Sequence, residues 1–285
     1  VPAAATNSQK LGDTLLARSL NPATDLQSAR FEAVISFAGT ADSDFPGEAE
    51  IVMSGGYDRA NDTSELFVDF TSLIEASAAV ESADDEFGLE FMQAFFAEPL
   101  QLITVGDTGY VKWGLFTMFT GETDKWLEMS QSETSDVTSD FGFNASVAPD
   151  DFLQTFEDAN ATITEVGREQ VRGVSTTHYL VVIDAEEFAQ TLSAEELEEF
   201  EESLGAAAIG DFPVEFWIDD QGLTRRMQID LTDAAFAAED SEDLENASIV
   251  FDMWDFGTDL NITAPPADQV ISEDEISLGF GDIDG

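Results

Sequence analysis

Residues 212–227, Phe-Pro-Val-Glu-Phe-Trp-Ile-Asp-Asp-Gln-Gly-Leu-Thr-Arg-Arg-Met, restrict the fold of this chain more than any other stretch. Val214, Phe216 and Ile218 alternate with Glu215, Trp217 and Asp219, the period of two that a strand with two unlike faces requires. Gly222 supplies the left-handed backbone position of a tight turn. A strand at 214–218, a turn at 219–222 and a second strand at 223–231 follow, so the chain must build an antiparallel sheet. The hairpin 213–232 is expected to set that sheet's edge or curvature.

The same alternation recurs along the chain. Phe31, Ala33, Ile35 and Phe37 alternate with Glu32, Val34 and Ser36; Ile51 with Met53, and Leu66 with Val68 and Phe70, continue it. Turn signals at 44–47 and 55–62 separate these segments, which read as a meander. Further strands are expected at 100–105, 110–113, 126–129, 160–171, 174–183 and 249–256, the last closing the sheet. At 84–97 the period changes: Phe87, Phe91 and Phe95 fall at i, i+4 and i+8, flanked by Leu89, Met92 and Phe96, after an acidic start suited to a helix N-terminus. Such a helix is apolar over more than half its circumference and must be covered on several sides. Other helices are expected at 9–20, after 149–151, and at 185–204, where Ser193 and Glu196 form a capping box. The division is a tether at 1–8, one domain at 9–266 and an acidic tail at 267–285.

Composition limits function. The chain has 285 residues, 60 acidic against 10 basic, and a formal net charge of −50. Nucleic acid is excluded as a partner, because phosphate contacts need Lys and Arg. Anionic headgroups at a bare bilayer surface are repelled as well. An acidic coat suited to a saline environment accounts for this charge, and screening within about 3 Å at 1 M salt relieves its self-repulsion. The midpoint of thermal unfolding should therefore rise between near-zero and molar NaCl; a flat or falling midpoint would contradict a destabilising coat. Twenty-three Phe stand against three Tyr and four Trp, which suits either a large core or an apolar cavity. Five Asn-x-Ser/Thr sequons permit glycosylation, but loops rich in Ser and Thr are the simpler cause.

Candidate chemistry is sparse. With no cysteine in the chain, thiolate catalysis, disulfides and zinc–thiolate sites are excluded. The single His178 falls on the same strand face as Leu180 and Val182, and no G-x-S-x-G elbow accompanies it. Asp219-Asp220 and Asp150-Asp151 carry no specific acid–base signal among so many carboxylates. The segment from Asp42 starts like a calcium loop but places Met53 where the loop needs Glu. No phosphate-binding Gly-rich loop occurs. The chain reads as a non-enzyme with no cofactor and no metal. Arg225 and Arg226 are expected on opposite sides of their strand, with pairing to carboxylates near Asp219 or Asp230 as the default.

The order Gly173…His178-Tyr179-Leu-Val-Val-Ile-Asp184, then Phe212–Arg226, then Trp254-Asp-Phe-Gly257 and Ala264-Pro-Pro266 resembles the LppX/LprAFG-type lipoproteins of the LolA/LolB-like superfamily. The match covers residues 173–266, with 28–112 matching as a run of alternating strands. The resemblance implies an α+β fold: a strongly curved antiparallel half-barrel with helices covering its concave face around acyl chains. It implies an extracytoplasmic lipid-binding carrier at the outer face of the cytoplasmic membrane, monomeric, holding a di- or triacylated lipid or glycolipid, with a membrane transporter as candidate partner. The start, Val-Pro-Ala-Ala-Ala-Thr-Asn-Ser, then looks like the tether that follows a lipidated cysteine. Candidate cavity-lining residues are Phe31, Ile35, Phe37, Ile51, Met53, Leu66, Val68, Phe70, Phe87, Phe91, Met92, Phe95 and Phe216; Arg225 and Arg226 are the candidate headgroup contacts. Each methylene moved out of water contributes about 0.8 kcal/mol, so a single acyl chain is a sizeable ligand for such a face. The alternative is an envelope structural or sensor-associated module on the same fold, with a packed interior and no lipid.

Overall fold

The computed structural model describes residues 27–39, 47–78, 98–114, 125–130, 133–134, 162–183, 212–231 and 244–272. Among these residues, twelve strands form one sheet: β1 (Ser28–Gly39), β2 (Gly47–Asp58), β3 (Thr63–Asp69), β4 (Leu100–Val105), β5 (Thr108–Lys112), β6 (Trp126–Ser130), β7 (Thr162–Val171), β8 (Val174–Ile183), β9 (Phe212–Asp219), β10 (Thr224–Asp230), β11 (Leu244–Trp254) and β12 (Val270–Ser272). Their order is β12-β6-β5-β4-β3-β2-β1-β11-β10-β9-β8-β7. Neighbours are antiparallel except β12 and β6, which run parallel. The sheet is open, with β7 and β12 at its edges. One α-helix, α1 (Thr71–Ala78), is described. The helices expected at 9–20, 84–97, after 149–151 and at 185–204 lie outside the described residues.

Three features of this order differ from the sequence expectation. The last long strand, β11, does not close the sheet: it lies at its centre, where nine registered pairs from Arg30↔Trp254 to Ala38↔Asn246 join it to β1. The hairpin of β9 and β10 is likewise interior, between β8 and β11, and marks no edge. Beyond residue 266 the chain makes a short 3-10 turn at Ala267–Gln269 and adds β12 to the sheet.

Alternation in sequence becomes segregation in space, because directly paired residues share a face. One row runs Ile163, Val181, Val214, Ile229, Ile249, Ile35 and Ile51 from β7 to β2. The next runs Tyr179, Phe216, Met227, Phe251, Ala33, Met53, Val68 and Leu100 from β8 to β4. A third carries Met253, Phe31, Gly55, Leu66, Leu102, Val111, Leu127 and Ile271 from β11 to β12. These rows form one continuous apolar face. On the opposite face, His178, Trp217, Arg226, Asp252 and Glu32 are successive cross-strand neighbours. A slip of one residue would exchange the faces, so burial of the apolar rows fixes the register.

Local chemistry explains the turns and α1. Gly222 adopts φ +87, and its N–H donates to the carbonyl of Asp219 at 3.0 Å. Asp219 is 3% exposed, and its Oδ1 accepts from the backbone N–H groups of Gln221 and Leu223 at 2.8 and 3.0 Å. At the start of α1, Asp69 Oδ1 accepts from the N–H of Thr71 at 2.9 Å, stabilising a free helix donor. Leu73 and Ile74 then pack against the buried cluster Val68, Phe70, Leu100, Leu102 and Val111.

Candidate functional site

The apolar face is not uniformly covered. At the β8–β9 side Tyr179, Val181, Val214, Phe216 and Ile218 are buried, and at the β3–β5 side so are Val68, Phe70, Leu100, Leu102 and Val111. Between them, on β11, β1, β2 and β3, Ile249, Phe251, Phe31, Ile35, Phe37, Ile51, Met53 and Leu66 are only half-buried. The centre of the face is thus mixed: Ala33 and Met253 are buried there, beside larger side chains that keep part of their surface accessible. Phe31 and Phe251 stack there with centroids 5.7 Å apart and planes 11° from parallel. Gly55 lies beneath Phe31, and a Cβ at Gly55 would come 2.1 Å from the carbonyl oxygen of Glu65 and 3.0 Å from the Phe31 ring. Glycine is required there mainly because the backbone carbonyl of Glu65 leaves no room for a side chain, with the Phe31 ring close by.

The nine described members of the expected lining set, Phe31, Ile35, Phe37, Ile51, Met53, Leu66, Val68, Phe70 and Phe216, divide by burial. Val68, Phe70 and Phe216 are packed in the flanks; the other six are half-buried at the centre or beside it. Phe87, Phe91, Met92 and Phe95 lie outside the described residues. Asp150 and Asp151 do as well.

Arg225 and Arg226 do not face opposite sides. The register of β10 against β9 shifts between Thr224 and Arg226, a β-bulge that sets both arginines opposite Trp217. Arg225 Nε donates to Asp219 Oδ2 at 2.7 Å. Arg226 binds Asp252 through two bonds, Nε to Oδ1 at 2.6 Å and Nη2 to Oδ2 at 2.8 Å. Both guanidinium groups therefore serve the polar face. Arg225 also lies over the ring of Phe256, 4.8 Å from its centroid.

Arg172 completes this network from a distance. It sits at the β7–β8 turn with φ 47, yet its Nε donates to Asp252 Oδ2 at 3.0 Å, its Nη2 contacts Glu32, and its guanidinium lies 4.0 Å from the Trp254 ring centroid. β8 and β11 are three strand spacings apart, about 14 Å, farther than an arginine reaches. The hairpin tip must lean over the polar face. Burial opposes ionisation of Asp252, but hydrogen bonds and charge from Arg226, and then from Arg172, outweigh it and hold its carboxyl below the usual aspartate range.

His178 belongs to the same face and is 6% exposed. Its ring stacks on Trp217 with centroids 4.1 Å apart. Nε2 lies 2.5 Å from Glu215 Oε2, and Nδ1 lies 3.3 Å from Glu169 Oε1. Glu169 reaches this cluster because β7 carries its own bulge between Glu165 and Gly167. The Trp217 indole N–H donates to Glu169 at 2.9 Å and is the main reason its carboxyl titrates below the ordinary glutamate range. The cluster ties the edge strand to β8 and β9. The sequence reading does not single out Asp252, Glu169 or Arg172; an aspartate inside the apolar run 249–254 is the available signal for the first.

Among the described residues no group of three or more His, Asp or Glu side chains is arranged to hold a metal ion, and no helix is long and apolar enough to cross a membrane.

Fold and site define a large open antiparallel sheet that presents an apolar surface on one face and is held by arginine–carboxylate pairs on the other. No protein-family model matches the chain, and no curated protein matches it. Solved structures do: the lipoprotein LppX of Mycobacterium tuberculosis at 17% identity and TM-score 0.41, over 87% of this chain and 98% of that one. LprF of Mycobacterium bovis matches at 13% identity and TM-score 0.47, over 88% and 95%. A LolA superfamily protein of Nitrosomonas europaea matches at 10% identity and TM-score 0.25, over 92% and 96%. At these scores the likenesses carry no weight for function.

Proposed function

We propose that the chain is a non-enzymatic, extracytoplasmic lipid-binding carrier, which holds the acyl chains of a di- or triacylated lipid or glycolipid against the centre of its apolar face. The observation that carries this reading is the half-buried patch on β11, β1, β2 and β3, flanked on both sides by packed core. Helices from elsewhere in the chain would cover the concave side of the half-barrel around the ligand, as the sequence signature at 173–266 implies. The same signature supports a monomer tethered through a lipidated cysteine and a membrane transporter as partner.

The test is to extract purified protein with organic solvent, identify co-purifying lipid by mass spectrometry, and incubate the loaded protein with empty vesicles. The carrier reading expects intact lipid near one equivalent, transferred chemically unchanged, and equally so for His178→Ala, whose imidazole serves only the polar face. Release of free fatty acid, lost in the His178 variant, would make the protein a hydrolase. No co-purifying lipid and no uptake would favour the alternative, a packed envelope module, for which the buried cluster around Val68 and Leu100 is the supporting feature.

A further inference from the structure

The apolar face has a polar end. One pleat beyond the row Gly55, Leu66 and Leu102, the same face of β2, β3 and β4 presents Tyr57, Ser64 and Thr104 side by side, with Tyr57↔Ser64 and Ser64↔Thr104 in register. That step is about 7 Å along each strand. A cavity of about 160 Å³ opens there, lined by these three residues with Asp58, Arg59, Asp62 and Thr63. Resting on the lipid-carrier reading, we propose that this pocket receives the headgroup of the bound lipid, and that the headgroup is an uncharged, hydroxylated one such as glycerol or a sugar.

The pocket's chemistry selects that class. Four hydroxyl-bearing side chains, Tyr57, Thr63, Ser64 and Thr104, each donate and accept hydrogen bonds, and the Asp62 carboxylate accepts from hydroxyl groups. Asp58 is 4% exposed and already committed: Oδ1 accepts from the N–H groups of Ala60 and Asn61 at 3.1 and 3.2 Å, and Oδ2 from Asn61 Nδ2 at 2.8 Å. It shapes the hairpin and adds negative charge. The pocket's one guanidinium, Arg59, lies over the Tyr57 ring at 5.1 Å. Two carboxylates against one such cation make a poor phosphate site. The other described arginines are engaged as well: Arg30 with Glu65, Arg168 with Asp220, Arg172 and Arg226 with Asp252, and Arg225 with Asp219. In a chain of net charge −50, an anionic headgroup also meets a repulsive field, which salt weakens.

The experiment offers the full chain three probes with matched hydrocarbon chains: galactosyl diacylglycerol, phosphatidylglycerol and a pyrene-labelled alkane without a headgroup. Galactosyl lipid should be captured at least tenfold better than phosphatidylglycerol at low salt, with the gap narrowing in molar NaCl. Thr104→Val, which keeps the side-chain shape, and Asp62→Asn should each lower the ratio of galactolipid to alkane capture several-fold, with circular dichroism unchanged. Equal or better capture of phosphatidylglycerol at both salts, or an unchanged ratio in both variants, would overturn the headgroup assignment while leaving the carrier reading intact. Failure to capture even the alkane would overturn both.

Discussion

Phe216→Ala should destabilise the fold by about 3–5 kcal/mol, the cost of emptying a fully buried aromatic site. Phe216 is 1% exposed and stands between Tyr179 and Met227 in the second apolar row, on an interior strand. Neighbours on both sides are held by hydrogen-bonded strands, so the site cannot collapse around the missing ring. Urea unfolding followed by tryptophan fluorescence would measure the loss. A change below about 1 kcal/mol would mean that the β8–β9 flank is not packed core, and the contrast between packed flanks and accessible centre would fail. Phe37→Ala, at a half-buried position, should cost clearly less.

The second large effect belongs to the polar face. Asp252→Asn should cost about 2–4 kcal/mol near neutral pH: it leaves Arg226 and Arg172 without their shared carboxylate, a loss tempered by their partial exposure. Asp252 itself is 5% exposed, so little water replaces the lost bonds. The pH dependence has a fixed sign. A carboxyl held below its ordinary value contributes stability that is present above the unfolded value, near 3.9, and is lost as pH falls through the lower folded value. The difference between wild type and Asp252→Asn should therefore be constant near neutrality and shrink below about pH 4. A difference that persists at lower pH would show that the charge of Asp252 is not what holds the arginines.

Much of this architecture is legible in the sequence. The alternation through Phe31–Phe37, Val174–Ile183 and Phe212–Asp219 specifies both the strands and which residues share a face, because a side-chain period of two leaves no freedom once one face is buried. Gly222 announces its turn. What escapes the sequence is set by pairing partners. The bulge at Arg225 depends on how β10 registers against β9, and no residue type marks it, so the two arginines read as opposed when they are not. The bulge before Gly167 turns Glu169 toward His178 in the same way. The meeting of β1 with β11 joins residues more than two hundred positions apart, and the parallel pairing of β12 with β6 uses three residues inside a stretch whose composition reads as tail. α1 was hidden by its length, with one aspartate side chain and two apolar residues as its only signals. That Phe31, Ile35, Ile51, Met53, Leu66 and Val68 share a face was legible, but which of them are packed and which keep accessible surface needed burial.

If acyl chains lie on the middle of the apolar face, blocking that place should abolish their uptake. Ile35 is half-buried and paired between Ile51 and Ile249, so Ile35→Trp puts an indole where a chain would lie. Ser248→Trp, on the polar face opposite Ser36 and Asp230, is the control. Uptake of a pyrene-labelled alkane by each folded variant is the measurement. Ile35→Trp should weaken uptake at least tenfold and Ser248→Trp should leave it as in wild type; undiminished uptake by a folded Ile35→Trp protein would show that the chains lie elsewhere.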